Sequence, residues 1–247
     1  MKLYSQTAKP GQGLSPTVKV LIAAFFILFL AAGWVLYRRF GIPTRRSASV
    51  VAWIRNPELH PDWAVEAGDV CGNAPFQMPT RGFIGFVWQD SFRIGHQHQG
   101  LDIFGGTDIN VTPVYAAYPG YLTRQQDWKS SLIIRIPNDP LQPGRQFWNY
   151  YTHLADSMGN SFISPDFPPG TSGVFVEAGT LLGYQGNFSG DPGNPTGVHL
   201  HFSIVKDDGS GKWLNELEID NTIDPSQYFG LPLNASENPD EFLVCNK

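Results

Sequence analysis

Cysteine, methionine and positive charge are all in short supply. With 2 Cys the chain is not a disulfide-scaffolded mini-protein. Its 17 Lys and Arg against 22 Asp and Glu give a net charge of -5. The basic face that a general nucleic-acid binder uses to displace counterions is therefore missing. Charged residues of all kinds amount to 16%, against roughly 25% in an average globular protein. The 26 Gly and 20 Pro make the composition turn-rich. The 3 Met are outnumbered by 7 Trp, 9 Tyr and 17 Phe, which favours short strands and loops over a long helical bundle. At 247 residues there is room for one ordinary domain with appendages.

The stretch from Val20 to Tyr37 contains no charged residue and no Pro. As a helix rising about 1.5 Å per residue it spans about 27 Å, close to the hydrocarbon thickness of a bilayer. Trp34 and Tyr37 fall near one end, where amphipathic rings favour the headgroup level, and Arg38 and Arg39 close the segment. A cleaved signal peptide ending near Ala31 or Ala32 is the alternative. The apolar run continues past both to Leu36, which favours an uncleaved anchor over 20–37 behind a 1–19 tail.

Orientation has two opposing indicators. Lys2, Lys9 and Lys19 flank one side, whereas Arg38, Arg39, Arg45, Arg46 and Arg55 flank the other, so a positive-inside count alone puts the C-terminal part in the cytoplasm. That rule weakens for long translocated domains. Cys71 and Cys245 bracket most of the remaining chain: paired, they require an oxidising compartment, and as free thiols they require none.

Residues 38–67 form the expected connector, basic and Pro-containing, with one amphipathic patch at Val50 to Ile54. The 68–247 remainder carries short apolar or alternating runs at Phe83–Trp88, Val114–Thr123, Leu132–Ile136, Phe147–Thr152, Gly173–Val176, Leu181–Tyr184 and His199–Val205. Gly, Pro, Asn or Asp punctuate them. The expectation is an all-β domain, with a short turn or helix between Asn221 and Phe229.

Chemistry concentrates in the histidines. His98 and Asp102 form an HxxxD pattern, and His199 and His201 an HxH pattern about a hundred residues later. On a strand, residues two apart share a face about 7 Å apart, so both of the latter can enter one site. His98 and Asp102 would lie about 13 Å apart on a straight strand. The backbone must bend between them, and Gly100 is placed for it. Two imidazoles and a carboxylate suit zinc and leave a fourth position open. His153 follows an aromatic strand at Tyr151-Thr152.

Taken in order, these motifs resemble the LytM/lysostaphin-type zinc metallopeptidases, the M23 family. The resemblance rests on His98-Gln99-Gly100-Leu101-Asp102, Pro113-Val114-Tyr115-Ala116-Ala117, Tyr151-Thr152-His153-Leu154, Ala178-Gly179-Thr180-Leu181-Leu182-Gly183 and Thr196-Gly197-Val198-His199-Leu200-His201-Phe202. Asp224-Pro225 and Tyr228 close it, so that it covers about Pro79 to Phe229. It implies a compact antiparallel β fold with a narrow groove and one Zn2+ at its floor. His98, Asp102 and His201 would be the metal ligands, and His153 and His199 the catalytic histidines. Peptides of bacterial cell-wall peptidoglycan would be the substrate. The implied whole is a single-pass enzyme of the bacterial cell membrane with its catalytic domain outside. A regulatory protein partner is compatible with that reading.

The alternative from another class is a non-catalytic module that binds wall or activates another wall hydrolase. Completeness of the five-residue set separates the two and favours the enzyme. A zinc ion that only staples loops would need a fourth protein ligand from His153 or His199. Departures from the family pattern include Arg93 as a stand-in for the usual arginine, and enlarged loops at 138–145, 156–170 and 187–195, expected to wall the groove and set its specificity. His96 misses the ligand spacing and is expected on the groove wall or the surface.

Overall fold

The computed structural model describes residues 15–40, 45–90, 96–237 and 242–245. Lys2, Lys9 and Arg93 lie outside them. The chain divides into two compact units, Met1–Ile42 and Pro43–Lys247.

The first unit contains helix α1 (Pro16–Phe40). Pro16 opens it, and the Ser15 Oγ accepts the Val18 N–H at 3.3 Å, as an N-cap does. Over Pro16–Trp34 the helix is long and apolar enough to cross a membrane and buries none of that surface within the protein. A helix apolar all round in this way cannot be satisfied by water.

In the second unit come helix α2 (Arg45–Arg55), strands β1 (Ala64–Val65), β2 (Gly82–Phe86), β3 (Leu101–Phe104), β4 (Pro113–Tyr115), β5 (Gly120–Thr123), β6 (Leu132–Ile136), β7 (Phe147–Thr152), β8 (Val174–Val176), β9 (Leu181–Tyr184), β10 (Leu200–Lys206) and β11 (Thr222–Ile223), and helix α3 (Ser226–Phe229). Among the described residues nine strands form one antiparallel sheet in the order β1-β2-β3-β10-β7-β6-β5-β8, with β11 on β10. Strands β4 and β9 form a separate pair. The domain is therefore the expected antiparallel β structure, and α3 lies inside the segment expected to turn or coil into a helix.

Strand alternation divides this sheet into two working faces. Leu101 and Ile103 of β3, Phe202 and Ile204 of β10, Tyr151 of β7, and Leu132 and Ile134 of β6 point into the main core. The residues between them, Asp102, His201, Tyr150 and Thr152, line an open groove on the opposite face. Tyr151 is fully buried, and its phenolic oxygen accepts the Ala117 N–H at 2.9 Å, so its polar tip is satisfied inside the core.

Residues 45–65, expected as part of a connector, are folded against the β2–β3 edge. Trp53 is fully buried and its indole N–H donates to the Phe104 carbonyl at 2.7 Å. Its neighbours in a second apolar cluster are Val50, Phe83 and Phe104. Gly85 permits the close approach of the helix: a Cβ there would lie 2.6 Å from Val50 Cγ2. Beyond α2, Trp63 stacks between His60, at 3.7 Å between ring centroids, and Phe242, at 4.2 Å. Nearby in sequence to that C-terminal ring, Cys245 is disulfide-bonded to Cys71 across a separation of 174 residues. In the chain-entropy model a closed loop of that size contributes about 5 kcal/mol by restricting the unfolded chain.

Candidate metal centre and its groove

The floor of the groove is built where β3, β10 and β7 lie side by side. Register pairs His201 with Asp102 on one side and with Thr152 on the other. His98 is not on a strand. It lies in the segment leading into β3, where its N–H donates to the Asp90 carbonyl and its own carbonyl accepts from the Gln89 N–H, both at 2.8 Å. This loop brings its ring back over β3. His98 Nε2 then stands 3.0 Å from Asp102 Oδ1 despite the spacing of a straight strand.

Gly100 serves this bend for a reason other than the expected one. Its φ is not in the left-handed region. It lies so close to β10 that a Cβ would collide with the Phe202 carbonyl. The position needs the absence of a side chain, because β3 and β10 must touch for Asp102 and His201 to meet.

His98 Nε2, Asp102 Oδ1 and His201 Nδ1 converge, with His98 Nε2 3.0 Å from His201 Nδ1 and His201 Nδ1 2.8 Å from Asp102 Oδ1. All three residues are buried, and the donor set is one that could hold a metal ion. The other ring nitrogen of each histidine is engaged: His98 Nδ1 donates to the Val87 carbonyl at 3.1 Å, and His201 Nε2 lies 2.8 Å from Glu216 Oε1. Such outer contacts are usual for metal-ligating imidazoles, since they fix which nitrogen is free to ligate. Tetrahedral ligands about 2.1 Å from zinc stand about 3.4 Å from one another. The three atoms would part by a few tenths of an ångström to admit the ion, so the residues present fit it.

The electrostatics agree. Burial by itself would raise the Asp102 carboxyl, but the imidazoles of His98 and His199 hold it well below the usual carboxylate range. Burial likewise opposes charge on His201, yet Glu216 and then Asp102 raise it to about 10. A position that retains a proton this firmly between two carboxylates is suited to a cation.

The two remaining site histidines face the same groove from beside this trio. His199 precedes β10 and lies flat against Phe104, with ring centroids 4.9 Å apart. Its Nδ1 contacts the Gly197 carbonyl at 2.7 Å, and its Nε2 lies 3.5 Å from Asp102 Oδ1. His153 directly follows β7 with φ +71°, a left-handed conformation that is uncommon outside glycine and costs of order 1–3 kcal/mol. That turn brings its ring to 4.5 Å from His199, with Nδ1 2.6 Å from the Phe188 carbonyl. Because a carbonyl only accepts, both Nδ1 atoms carry a proton. Burial, then the neighbouring His199 and His201, push His153 down to about 3, so it is neutral across the ordinary pH range.

Around this floor the groove has a volume of about 890 Å³. One wall is apolar, with Phe86 and Phe104 backed by Val50 and Ile54 of α2. The other carries hydroxyls: the Tyr150 OH donates to Ser131 Oγ at 2.9 Å, and Ser131 Oγ lies 2.7 Å from Thr152 Oγ1. His96 lines the groove as well and is not one of the three converging donors. Of the three enlarged loops only 187–195 contributes, through Phe188, Ser189, Gly190 and Pro192. The 138–145 loop is turned instead to α3, where Arg145 and Asp139 bind the Tyr228 hydroxyl. Sequence reasoning missed α2 and Glu216 as parts of the site. The amphipathic patch Val50–Ile54 was a usable signal for the first, whereas a single Glu in a polar loop gave none for the second.

No family model matches the sequence, and no curated protein is significantly similar to it. Among solved structures the chain is similar to the catalytic domain of the antimicrobial peptidase lysostaphin from Staphylococcus simulans, with 18% identity over 64% of this chain and 93% of that one and a TM-score of 0.38. It is similar also to the catalytic domain of a prophage-encoded M23 protein from Enterococcus faecalis, with 18% identity, 61% and 94% coverage and a TM-score of 0.34. A zinc containing peptidase from Vibrio cholerae matches with 19% identity, 61% and 40% coverage and a TM-score of 0.32.

Proposed function

We propose that the chain is a membrane-anchored zinc metalloendopeptidase that hydrolyses peptide bonds in bacterial cell-wall peptidoglycan, with its catalytic domain outside the cytoplasmic membrane. The observation that carries this reading is the convergence of His98 Nε2, Asp102 Oδ1 and His201 Nδ1 beneath a groove into which two further imidazoles face. The order of the motifs, which resembles that of the LytM/lysostaphin-type peptidases, supports the substrate class. The Cys71–Cys245 bond supports an oxidising compartment, and α1 supports attachment to a membrane.

Held by His98, Asp102 and His201, zinc would supply a Lewis acid that polarises the scissile carbonyl and makes water a better nucleophile. The chain's own groups divide the remaining work. His199, with its Nδ1–H tied to the Gly197 carbonyl, offers Nε2 to take a proton from the attacking water. It returns that proton to the leaving nitrogen as the C–N bond breaks. His153 is a weak base whose Nε2 accepts a hydrogen bond without becoming charged, so its role is to orient the water. Phe104 fixes the plane of His199, and on the opposite wall the Tyr150 oxygen, its own proton given to Ser131, offers an acceptor to a peptide N–H.

Metal content by elemental analysis, read beside cleavage of purified muropeptides by the full chain in detergent micelles, tests this. Replacing His98, Asp102 or His201 by Ala should remove both zinc and cleavage. His199→Ala should keep zinc while the rate falls about 10²-fold or more, and His153→Ala should behave similarly. Zinc lost from His199→Ala but kept by His201→Ala would overturn the ligand assignment. Undiminished cleavage in all five variants would mean that this groove does not hydrolyse peptides.

A further inference from the structure

Between β10 and β11 the chain makes a polar excursion, residues 207–221, outside every motif that marks the site. Its base is anchored to the sheet: the Asp207 carboxylate accepts from Gln146 Nε2 at 2.6 Å and from Trp148 Nε1 at 3.1 Å. From there it returns to the groove and delivers Glu216, whose side chain is only 14% exposed, to His201. Contacts on both sides of Glu216 hold it in place. Gln99 Nε2 donates to the Leu217 carbonyl at 2.9 Å, and Asn221 Nδ2 donates to the Asn215 carbonyl at 2.9 Å. Gln99 is the direct neighbour of His98, so the excursion is fastened to the same turn that carries a candidate ligand.

Imidazole has one proton to place on two nitrogens when neutral, and the choice decides whether His201 can ligate. An ionised carboxylate accepts and cannot donate. Asp102 Oδ1, also at 2.8 Å, would draw a proton to Nδ1, so with a cation at the meeting point in place of that proton Glu216 Oε1 at 2.8 Å would hold the remaining proton on Nε2 and leave the Nδ1 lone pair for the ion. The opposite tautomer would aim an N–H there. His98 has its corresponding nitrogen on a neutral backbone carbonyl, that of Val87. The two candidate histidine ligands thus differ in what stands behind them, and only His201 is backed by negative charge, which strengthens an imidazole as a donor.

We infer that Glu216 is a positioning residue of the metal centre, fixing the tautomer of His201 and strengthening its hold on a zinc-class divalent cation, and that Gln99 secures the loop that carries it. The inference rests on the metallopeptidase reading and adds to it a residue outside the motif. Competition between the full chain in detergent micelles and a chromogenic chelator for Zn2+ tests it without reference to activity. Glu216→Ala should weaken zinc binding by about 10- to 100-fold. Glu216→Gln keeps an oxygen able to accept the Nε2 proton but loses the charge, so it should fall between parent and Ala variant. With Co2+ as the probe, the visible absorption of the Ala variant should differ from that of the parent.

An Ala variant that binds within about twofold of the parent, with an unchanged Co2+ spectrum, overturns the inference while leaving the ligand assignment intact. A parent chain that takes up no zinc overturns both. Should the Ala variant fail to fold, the Gln variant decides: weakened zinc binding supports the role, and parental affinity refutes it.

Discussion

Replacing Trp53 asks whether α2 is part of the β unit or only passes beside it. The indole is fully buried among Val50, Phe83 and Phe104, and its N–H donates to the Phe104 carbonyl at 2.7 Å. Trp53→Ala removes both the packing and that hydrogen bond. Large aromatic-to-Ala changes in cores cost about 3–5 kcal/mol. In a unit of this size each kcal/mol lowers the melting temperature by about 2–4 °C, which gives an expected fall of about 6–20 °C. Trp53→Phe retains most of the apolar contact but leaves a carbonyl without its donor, a loss of about 1–3 kcal/mol. The assay is thermal unfolding of the full chain in detergent, followed by near-ultraviolet circular dichroism so that α1 does not mask the β unit. Because Val50 and Ile54 of the same helix line the groove, muropeptide cleavage should drop in the Ala variant below its new midpoint. A Trp53→Ala protein that melts within about 2 °C of the parent would refute the packing argument. It would return residues 45–65 to the status of a tether.

Two further outcomes follow from close packing and buried charge. Gly100→Ala should destabilise by about 1–3 kcal/mol and weaken zinc binding together, since β3 and β10 must separate where Asp102 and His201 pair; urea unfolding and zinc titration of the same sample check it, and parental values in both would refute it. Asp139 is buried, which by itself would raise its carboxyl, but N–H donors from Leu141 and Gln142 with Arg145 and Tyr228 hold it below its ordinary value. A depressed carboxylate adds stability above its unfolded pKa, near 3.9, and loses it as pH falls through the lower folded value. Asp139→Asn should therefore be less stable than the parent near neutrality, by about 1.5–3 kcal/mol, with the gap closing in acid below about pH 4. Denaturation at several pH values measures that difference, and a gap independent of pH would refute it.

The strands legible in the sequence are those whose alternation is bounded by turn residues. Leu132–Ile136, Phe147–Thr152 and Leu181–Tyr184 fold over the limits expected for them. Val114–Thr123 reads as one run yet divides into β4 and β5, which belong to different sheets. Its apolar content is continuous, and only pairing partners elsewhere in the chain reveal the break at Ala116–Tyr118. Strand β3 was hidden within the HxxxD pattern because it is four residues long and buried throughout, without the half-polar alternation that identifies an exposed strand. The clustering of His98, Asp102 and His201 follows from strands about a hundred residues apart becoming neighbours, which local pattern cannot supply. Motif order stood in for that information. Nothing similar was available for Glu216, whose relation to His201 depends on how a loop folds back.

The Cys71–Cys245 bond makes residues 71–245 a covalently closed ring. The metal, catalytic and groove residues named above lie inside it, from Phe86 to Glu216, except the two contributed by α2. A single backbone cut within the ring, for instance in the exposed turn at 208–212, linearises the loop without freeing a fragment. Both new ends stay attached through the sulfurs, so survival of the groove depends only on non-covalent contacts at the cut. A cut between Ile54 and Cys71 has a different result: no covalent bond then joins the ring to α1, and Val50 and Ile54 stay on the other piece. The position of a nick thus decides between a tolerated scar and a core stripped of one wall of its cleft.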